Sequence, residues 1–205
     1  MKQREEWFEG QLDLDPERLV FLDETWASTN MARTHGRCPR GERLRVGVPH
    51  GHWKTTTFVA GLTTRGMIAP WVLDGPINRN AFETYVEKVL VPELPQGTVV
   101  VMDNLSSHKG PRVCEMIEAA GATLLYLPPY SPDFNPPLAT PLSFAQRSLW
   151  LAPPIEKAFA RLKAHLRKAA ERTVDGLWGA IGRIIDTFTP AECRNYIAAA
   201  RYDAN

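Results

Sequence analysis

The sequence is poor in cysteine: Cys38, Cys114 and Cys193 are the three in 205 residues, far apart and without CxxC spacing. An odd, scattered set argues against a disulfide framework and against a zinc site, and it fits reduced thiols in a cytoplasmic setting. Long apolar runs are also missing, and residues 1–10 are charged rather than signal-like. No membrane partner is expected. Charge of one sign is lacking too. Lys and Arg number 24 against 23 Asp and Glu, a net charge of +1, so composition alone announces no nucleic-acid partner. What is present is ordinary: 44% hydrophobic and 23% charged residues, which suits one soluble domain with a sizeable core and perhaps a small appendage.

The most informative stretch is residues 98–108, TVVVMDNLSSH. A short continuous apolar run bounded by turn residues reads as a strand buried on both faces. Asp103 at its end either opens a turn, as Asp often does, or stands where an open α/β sheet presents its chemistry. A second run, RLVFLDET at residues 18–25, also ends in an acid. Side chains alternate along a strand, so Asp23 and Glu24 point to opposite faces and only one of them can join Asp103. Two carboxylates at matching ends of neighbouring parallel strands repel unless a cation or a shared proton intervenes. Mg²⁺ suits such a site, since it prefers carboxylate and water oxygens and keeps positions open for a phosphate.

Residues 1–15 form a charged lead-in with Trp7, Phe8 and Leu12 as a weak helical stripe, and Asp15-Pro16 turns the chain into the first strand. Residues 25–51 gather Arg33, Arg37, Arg40, Arg43 and Arg45, either a solvated loop or a phosphate-contacting surface. Residues 52–63 and 67–73 suggest a hairpin, in which Pro70 demotes the second strand to an edge or bulged one. A helix is expected over residues 80–90, ended by Pro92. After the Asp103 strand, Gly110-Pro111 opens a helix that stops at Gly121, and residues 123–127 make a last short strand. This order predicts an α/β fold, a mixed sheet flanked by helices. Residues 128–154 are proline-rich and carry no regular period; loops of this length are usually functional or added.

From Ile155 the chain reads as helical, with Ile155, Phe159, Leu162, Leu166 and Ala169 on the apolar face and Lys157, Arg161, His165, Lys168 and Arg172 as a basic stripe. Glu156 falls in the first turn, where an anion is favourable. Val174, Leu177, Trp178, Ile181, Ile185 and Phe188 mark a second amphipathic helix, and Thr189-Pro190-Ala191-Glu192 reads as a capping box that starts a third.

LDET, HWKTTTF, VMDNLSSH, YSPDFNP and IEKAFARLK, in that order, resemble the catalytic domain of mariner-related bacterial insertion-sequence transposases, the DDE superfamily endonucleases. The resemblance runs from about residue 16 to residue 202. It implies an RNase H-like fold, a five-stranded mixed sheet carrying acids on its first and fourth strands and on a later helix. Carried over, these are Asp23, Asp103 and Glu156, holding two Mg²⁺ or Mn²⁺ ions for DNA strand cleavage and transfer. Asn104 and His108 match a pattern just beyond the second acid; both are expected to shape the site, and for His108 a plain turn or capping role is an equal alternative. Contacts to the DNA backbone are expected from Arg37, Arg40 and Lys54, and from Lys157, Arg161, Lys163, Arg167 and Lys168 on the Glu156 helix. The implied partners are transposon-end and target DNA, with a homodimer bringing two ends together.

Two departures bear on function. The family's N-terminal helix-turn-helix region is expected to be absent, supplied by an upstream-frame polypeptide or lost in a truncated remnant. Between Asp103 and Glu156 stand 52 residues where the family pattern implies roughly 34, so residues 137–154 are expected to be an insertion within the catalytic domain. Lengthening a loop costs roughly 0.6 kcal/mol per doubling, so the fold should survive. A metal ligand displaced by about 1 Å can cost on the order of 100-fold, so activity is expected to be impaired. Leu142, Phe144, Leu149, Trp150 and Leu151 of the insert should seek burial. The alternatives are an inactive remnant that binds DNA or a partner transposase, and another RNase H-like nuclease acting on hybrids or junctions.

Overall fold

The computed structural model describes residues 14–105, 108–127 and 153–202. The lead-in stripe, the YSPDFNP segment and nearly all of the expected insertion lie outside the described residues. Five strands form one mixed sheet: β1 (Leu19–Ser28), β2 (Thr55–Leu62), β3 (Met67–Asp74), β4 (Val99–Met102) and β5 (Thr123–Tyr126), in the spatial order β3-β2-β1-β4-β5. β1 pairs antiparallel with β2 and parallel with β4, and β4 runs parallel to β5.

Alternation along β1 sorts the molecule into two cores. Leu19, Phe21 and Ala27 face a cluster built by α3 (Pro154–Ala169), α4 (Val174–Ile185) and α5 (Pro190–Ala198). Val20 and Leu22 face the other cluster, with α1 (Arg79–Tyr85) and α2 (Pro111–Ala119). β4 is buried on both sides, Val101 toward the first cluster and Val100 and Met102 toward the second. An unbroken apolar run is what such a strand requires.

β3 is both the edge strand and a bulged one, as Pro70 predicts. The register with β2 shifts between Val59 and Gly61, and Ala69 takes up the extra residue at φ 49°, left-handed and fully buried. A left-handed alanine persists only when its surroundings hold it. Here Glu93 Oε2 accepts from its N–H at 2.7 Å, and the buried Tyr85 hydroxyl donates to its carbonyl at 2.9 Å. Tyr85→Phe should therefore leave a buried carbonyl unpaired and cost about 1–3 kcal/mol; a chemical-denaturation midpoint equal to wild type would show that the bulge does not depend on this bond.

The helices depart from the sequence expectation in three details. Pro92 does not end the helix that begins at Arg79: a π turn (Val86–Leu90) precedes a final α-turn (Val91–Glu93) that contains it. The wider π turn relaxes the hydrogen-bond ladder where proline lacks its N–H. Ala169 is exposed, and Pro154 and Ala158 share the buried face of α3 instead. The capping box of α5 is only half made. Thr189 Oγ1 accepts from Glu192 N–H at 3.3 Å, but the Glu192 carboxylate turns to Arg161 Nε at 2.9 Å and to the Tyr196 hydroxyl. A charged partner is the stronger attraction. No described helix is long and apolar enough to cross a membrane.

Candidate active site

The parallel pairing of β1 with β4 runs through Leu22 opposite Met102. One more step sets Asp23 beside Asp103, at the end where the parallel pairing stops: Asp103 follows the last residue of β4, but β1 runs on to Ser28 in pairing with β2, so Asp23 lies mid-strand and not at the strand end that its apolar run suggests. Asp23 follows Phe21 on the α3 side of the sheet, and Glu24 follows Leu22 on the other. α3 begins at the same end, and Glu156 lies in its first turn, where its N–H to Pro153 carbonyl bond (3.0 Å) starts the helix.

The three acids feel one another. Asp23, half-buried, is pushed from 3.8 up to about 7: burial acts first, Glu24 N–H donating to Oδ1 at 2.8 Å acts against it, and the charges of Glu24, Asp103 and Glu156 add to the rise. The Glu156 carboxyl still meets solvent but is raised as well, by partial burial and then by Asp103. Lys163, two turns along α3, has its ammonium lowered by burial and by Arg167, while Asp23 works the other way. The sheet end thus holds excess negative charge that a cation would relieve.

The donor set fits a hard divalent cation in kind. Oδ2 of Asp23, Oδ2 of Asp103 and both Glu156 oxygens carry no hydrogen bond among the described residues, and all are carboxylate oxygens. The side chains are not gathered, however: no three acidic, histidine or cysteine groups among the described residues close on one point as ligands.

His108 is almost wholly buried, at 1% exposure, and bridges two acids. Nδ1 stands 2.5 Å from Asp103 Oδ1 and Nε2 stands 2.8 Å from Glu24 Oε2, with the ring stacked on Phe82 at 4.3 Å. Burial lowers the affinity of the ring for a proton, but the two carboxylates outweigh it and push the pKa to about 9. Two flanking carboxylates favour the protonated ring; Nδ1 meets Asp103 in a hydrogen bond, while Nε2 lies close to Glu24 without the alignment of one. Asn104 lies beside it, half-buried, its Oδ1 without a partner among the described residues.

The expected basic residues divide into two groups. Arg37, Arg40 and Lys54 lie exposed in the long connection between β1 and β2, whose ends are tied by Thr29 N–H to Lys54 carbonyl (3.0 Å) and Lys54 N–H to Thr29 Oγ1 (3.1 Å). Lys163, Arg167 and Lys168 lie along α3. Lys157 and Arg161 instead hold α3 to the chain around α5: Lys157 Nζ donates to Ala199 carbonyl at 3.1 Å, and Arg161 pairs with Glu192 and lies 4.3 Å over the Phe188 ring. Arg172, the last of the predicted stripe, donates to the Thr29 and Met31 carbonyls. Helical spacing puts these residues on one face without saying whether solvent or another helix meets it.

Sequence reasoning missed two residues. Glu24 was set aside by strand parity, which forbids direct contact with Asp103 but not a bridge through a histidine. Trp26 is 57% exposed three residues past Asp23, with Lys163 Nζ 4.7 Å from its ring centroid. An exposed tryptophan beside an acidic site is a visible signal in LDETW.

Residues 18–137 match the family model for the DDE superfamily endonuclease domain, more than half of the chain. No curated protein sequence matches. Among solved structures, the chain is similar to the catalytic domain of Mos1 mariner transposase, with a TM-score of 0.66 at 16% identity over 98% of this chain and 88% of that one. It is also similar to the Mos1 strand transfer complex (TM-score 0.65, 16% identity, 98% and 58% coverage) and to the Mos1 mariner paired end complex with Mn (0.64, 16%, 98% and 59%). The chain spans less than two thirds of the chain in those two complexes, and at this identity the likeness is one of fold, a five-stranded mixed sheet of the RNase H-like type. The match over residues 18–137, from the first strand through the last, makes this chain a member of the DDE superfamily endonucleases.

Proposed function

We propose that the chain is a transposase catalytic domain that cleaves and transfers DNA strands with Asp23, Asp103 and Glu156. The observation that carries the reading is the β1–β4 register, which sets Asp23 beside Asp103, with Glu156 close enough to act on the proton affinity of Asp23. In this reading Asp23, Asp103 and Glu156 would together hold two Mg²⁺ or Mn²⁺ ions. When bound, these ions supply the Lewis acidity that activates a water or 3′-hydroxyl and stabilises the leaving oxygen of an in-line displacement. The Mos1 structures similar to this one include a strand transfer complex and a paired end complex with Mn, which supports both the reaction class and the metal.

The residues of the chain do the positioning. Lys163 stands over Trp26 beside the acids, offering a phosphate contact next to an aromatic face on which a base can stack. Arg167 and Lys168 continue that surface along α3, and Arg37, Arg40 and Lys54 border it from the β1–β2 connection. His108 and Asn104 shape the Asp103 side. DNA ends and target are the proposed partners, with a second copy of the chain in the joined complex.

Residues 137–154 enter this reading as an insertion, supported by the family match stopping at residue 137. One observation favours the rival reading, an inactive remnant that only binds DNA or a partner: the acids do not close into a ligand cluster among the described residues. A Mn²⁺-dependent strand-cleavage assay decides between them. The chain with residues 137–154 deleted should cut DNA faster than the intact chain, and Asp103→Ala should cut in neither background. Equal rates with and without the segment would remove the impairment, and cleavage by Asp103→Ala would remove the proposed chemistry.

A further inference from the structure

Glu24 takes no part in the proposed metal chemistry, yet its side chain is only 18% exposed. A carboxylate that far out of water needs a compensating partner. Its partner is His108 Nε2 at 2.8 Å, a contact short in distance but off the axis of a good hydrogen bond, so charge holds it more than direction does. The ring has few other places to go: it is buried, stacked on Phe82, and its other nitrogen meets Asp103 Oδ1. Asp103 itself has a weak main-chain anchor, the Leu105 N–H at 3.3 Å, because β4 ends at Met102 and the pleat no longer dictates where the next side chain points.

We propose that Glu24 is a positioning residue that, through the buried ring of His108, fixes the Asp103 carboxylate in the orientation that leaves Oδ2 for a metal ion. The inference rests on the reading of Asp103 as a metal ligand. An imidazole held by the Asp103 hydrogen bond at Nδ1, the Glu24 charge at Nε2 and the Phe82 ring on its face keeps Oδ1 at one side of the carboxylate and so leaves the other oxygen free. Without Glu24, the buried ring loses the carboxylate that faces Nε2 at 2.8 Å and gains freedom to tilt or flip about its Cβ–Cγ bond. Residues that orient a metal ligand in this way typically contribute 10–100-fold to metal affinity.

The test is Mn²⁺ binding to the DNA-free full chain, by calorimetry, alongside the ¹⁵N resonances of the His108 ring in metal-free protein. Asp103→Asn should remove the binding. Glu24→Ala should weaken it about 10–100-fold and shift the ring resonances. Glu24→Gln, which keeps the shape and an oxygen facing Nε2 but not the charge, should bind more tightly than Glu24→Ala and more weakly than wild type. If Glu24→Ala does not fold, Glu24→Asp carries the comparison with Glu24→Gln, and its shorter arm should bind more weakly. Affinity within twofold of wild type in Glu24→Ala, or in Glu24→Asp where that stands in, would overturn the inference while Asp103→Asn still upheld the metal reading. Weakened binding with unmoved ring resonances would also overturn it, since the effect would not pass through His108. Wild-type binding by Asp103→Asn would sink the metal reading and this inference together.

Discussion

Asp23→Asn should abolish divalent-dependent strand cleavage and at the same time raise the melting temperature at pH 8. Asp23 binds its proton more tightly in the folded chain, at about 7, than at its ordinary value of 3.8, because burial and the neighbouring carboxylates penalise the anion. Folding therefore takes up protons between those values. The stability linked to that uptake is complete below the lower value and is lost as pH rises through about 7. Asparagine has the same shape and keeps an acceptor for the Glu24 N–H, but carries no charge. Once solvent screening at a half-exposed carboxyl is allowed for, the gain at pH 8 comes to about 2 kcal/mol, or roughly 4–8 °C in a domain of this size. It should vanish near pH 4. Scanning calorimetry at the two pH values measures both limbs, and a variant no more stable than wild type at pH 8 would remove the claim that the acids repel one another. Mn²⁺ added to wild type at pH 8 should raise its melting temperature by mass action and leave Asp23→Asn nearly unmoved.

Leu162→Ala should produce the largest loss of stability and carry the active site with it. Leu162 is fully buried in the core between the sheet and α3, on the same helical face as Phe159 and Leu166. Removing its side chain costs about 2–5 kcal/mol, the lost transfer energy plus the cavity left behind. Against a net stability of about 5–15 kcal/mol, the fold should persist with a melting temperature lower by roughly 5–15 °C. Glu156 rides on the same helix, so its place relative to Asp23 depends on how α3 docks. Mn²⁺ affinity should fall with the stability, because Glu156 moves with the helix. His165→Ala, an exposed change on the same helix, should move the melting temperature by no more than about 0.5 kcal/mol equivalent. Unchanged Mn²⁺ affinity in Leu162→Ala would mean that Glu156 contributes nothing to the site.

Local chemistry written into the chain determined much of this molecule. Unbroken apolar runs prescribe the first half of β1 and all of β4, Pro70 prescribes an edge strand with a bulge, and Gly110-Pro111 and Thr189-Pro190 set where α2 and α5 begin. Those signals depend on neighbours in sequence, so they are legible without coordinates, and they put Asp103 at the end of β4; that β1 runs on past Asp23 to Ser28 is set by its pairing with β2. The order of the short motifs was enough to name the family. What only the tertiary structure decided are matters of which surface meets which. Lys157, Arg161 and Arg172 look like a solvated stripe by spacing, and packing turns them into ties for α3. Glu24 looks excluded by parity, and a histidine five residues past Asp103 reaches it, because the constraint of the pleat ends at Met102. Helical and strand periods specify faces; they carry no information about what is folded against those faces, and a side chain beyond the last paired residue obeys neither period.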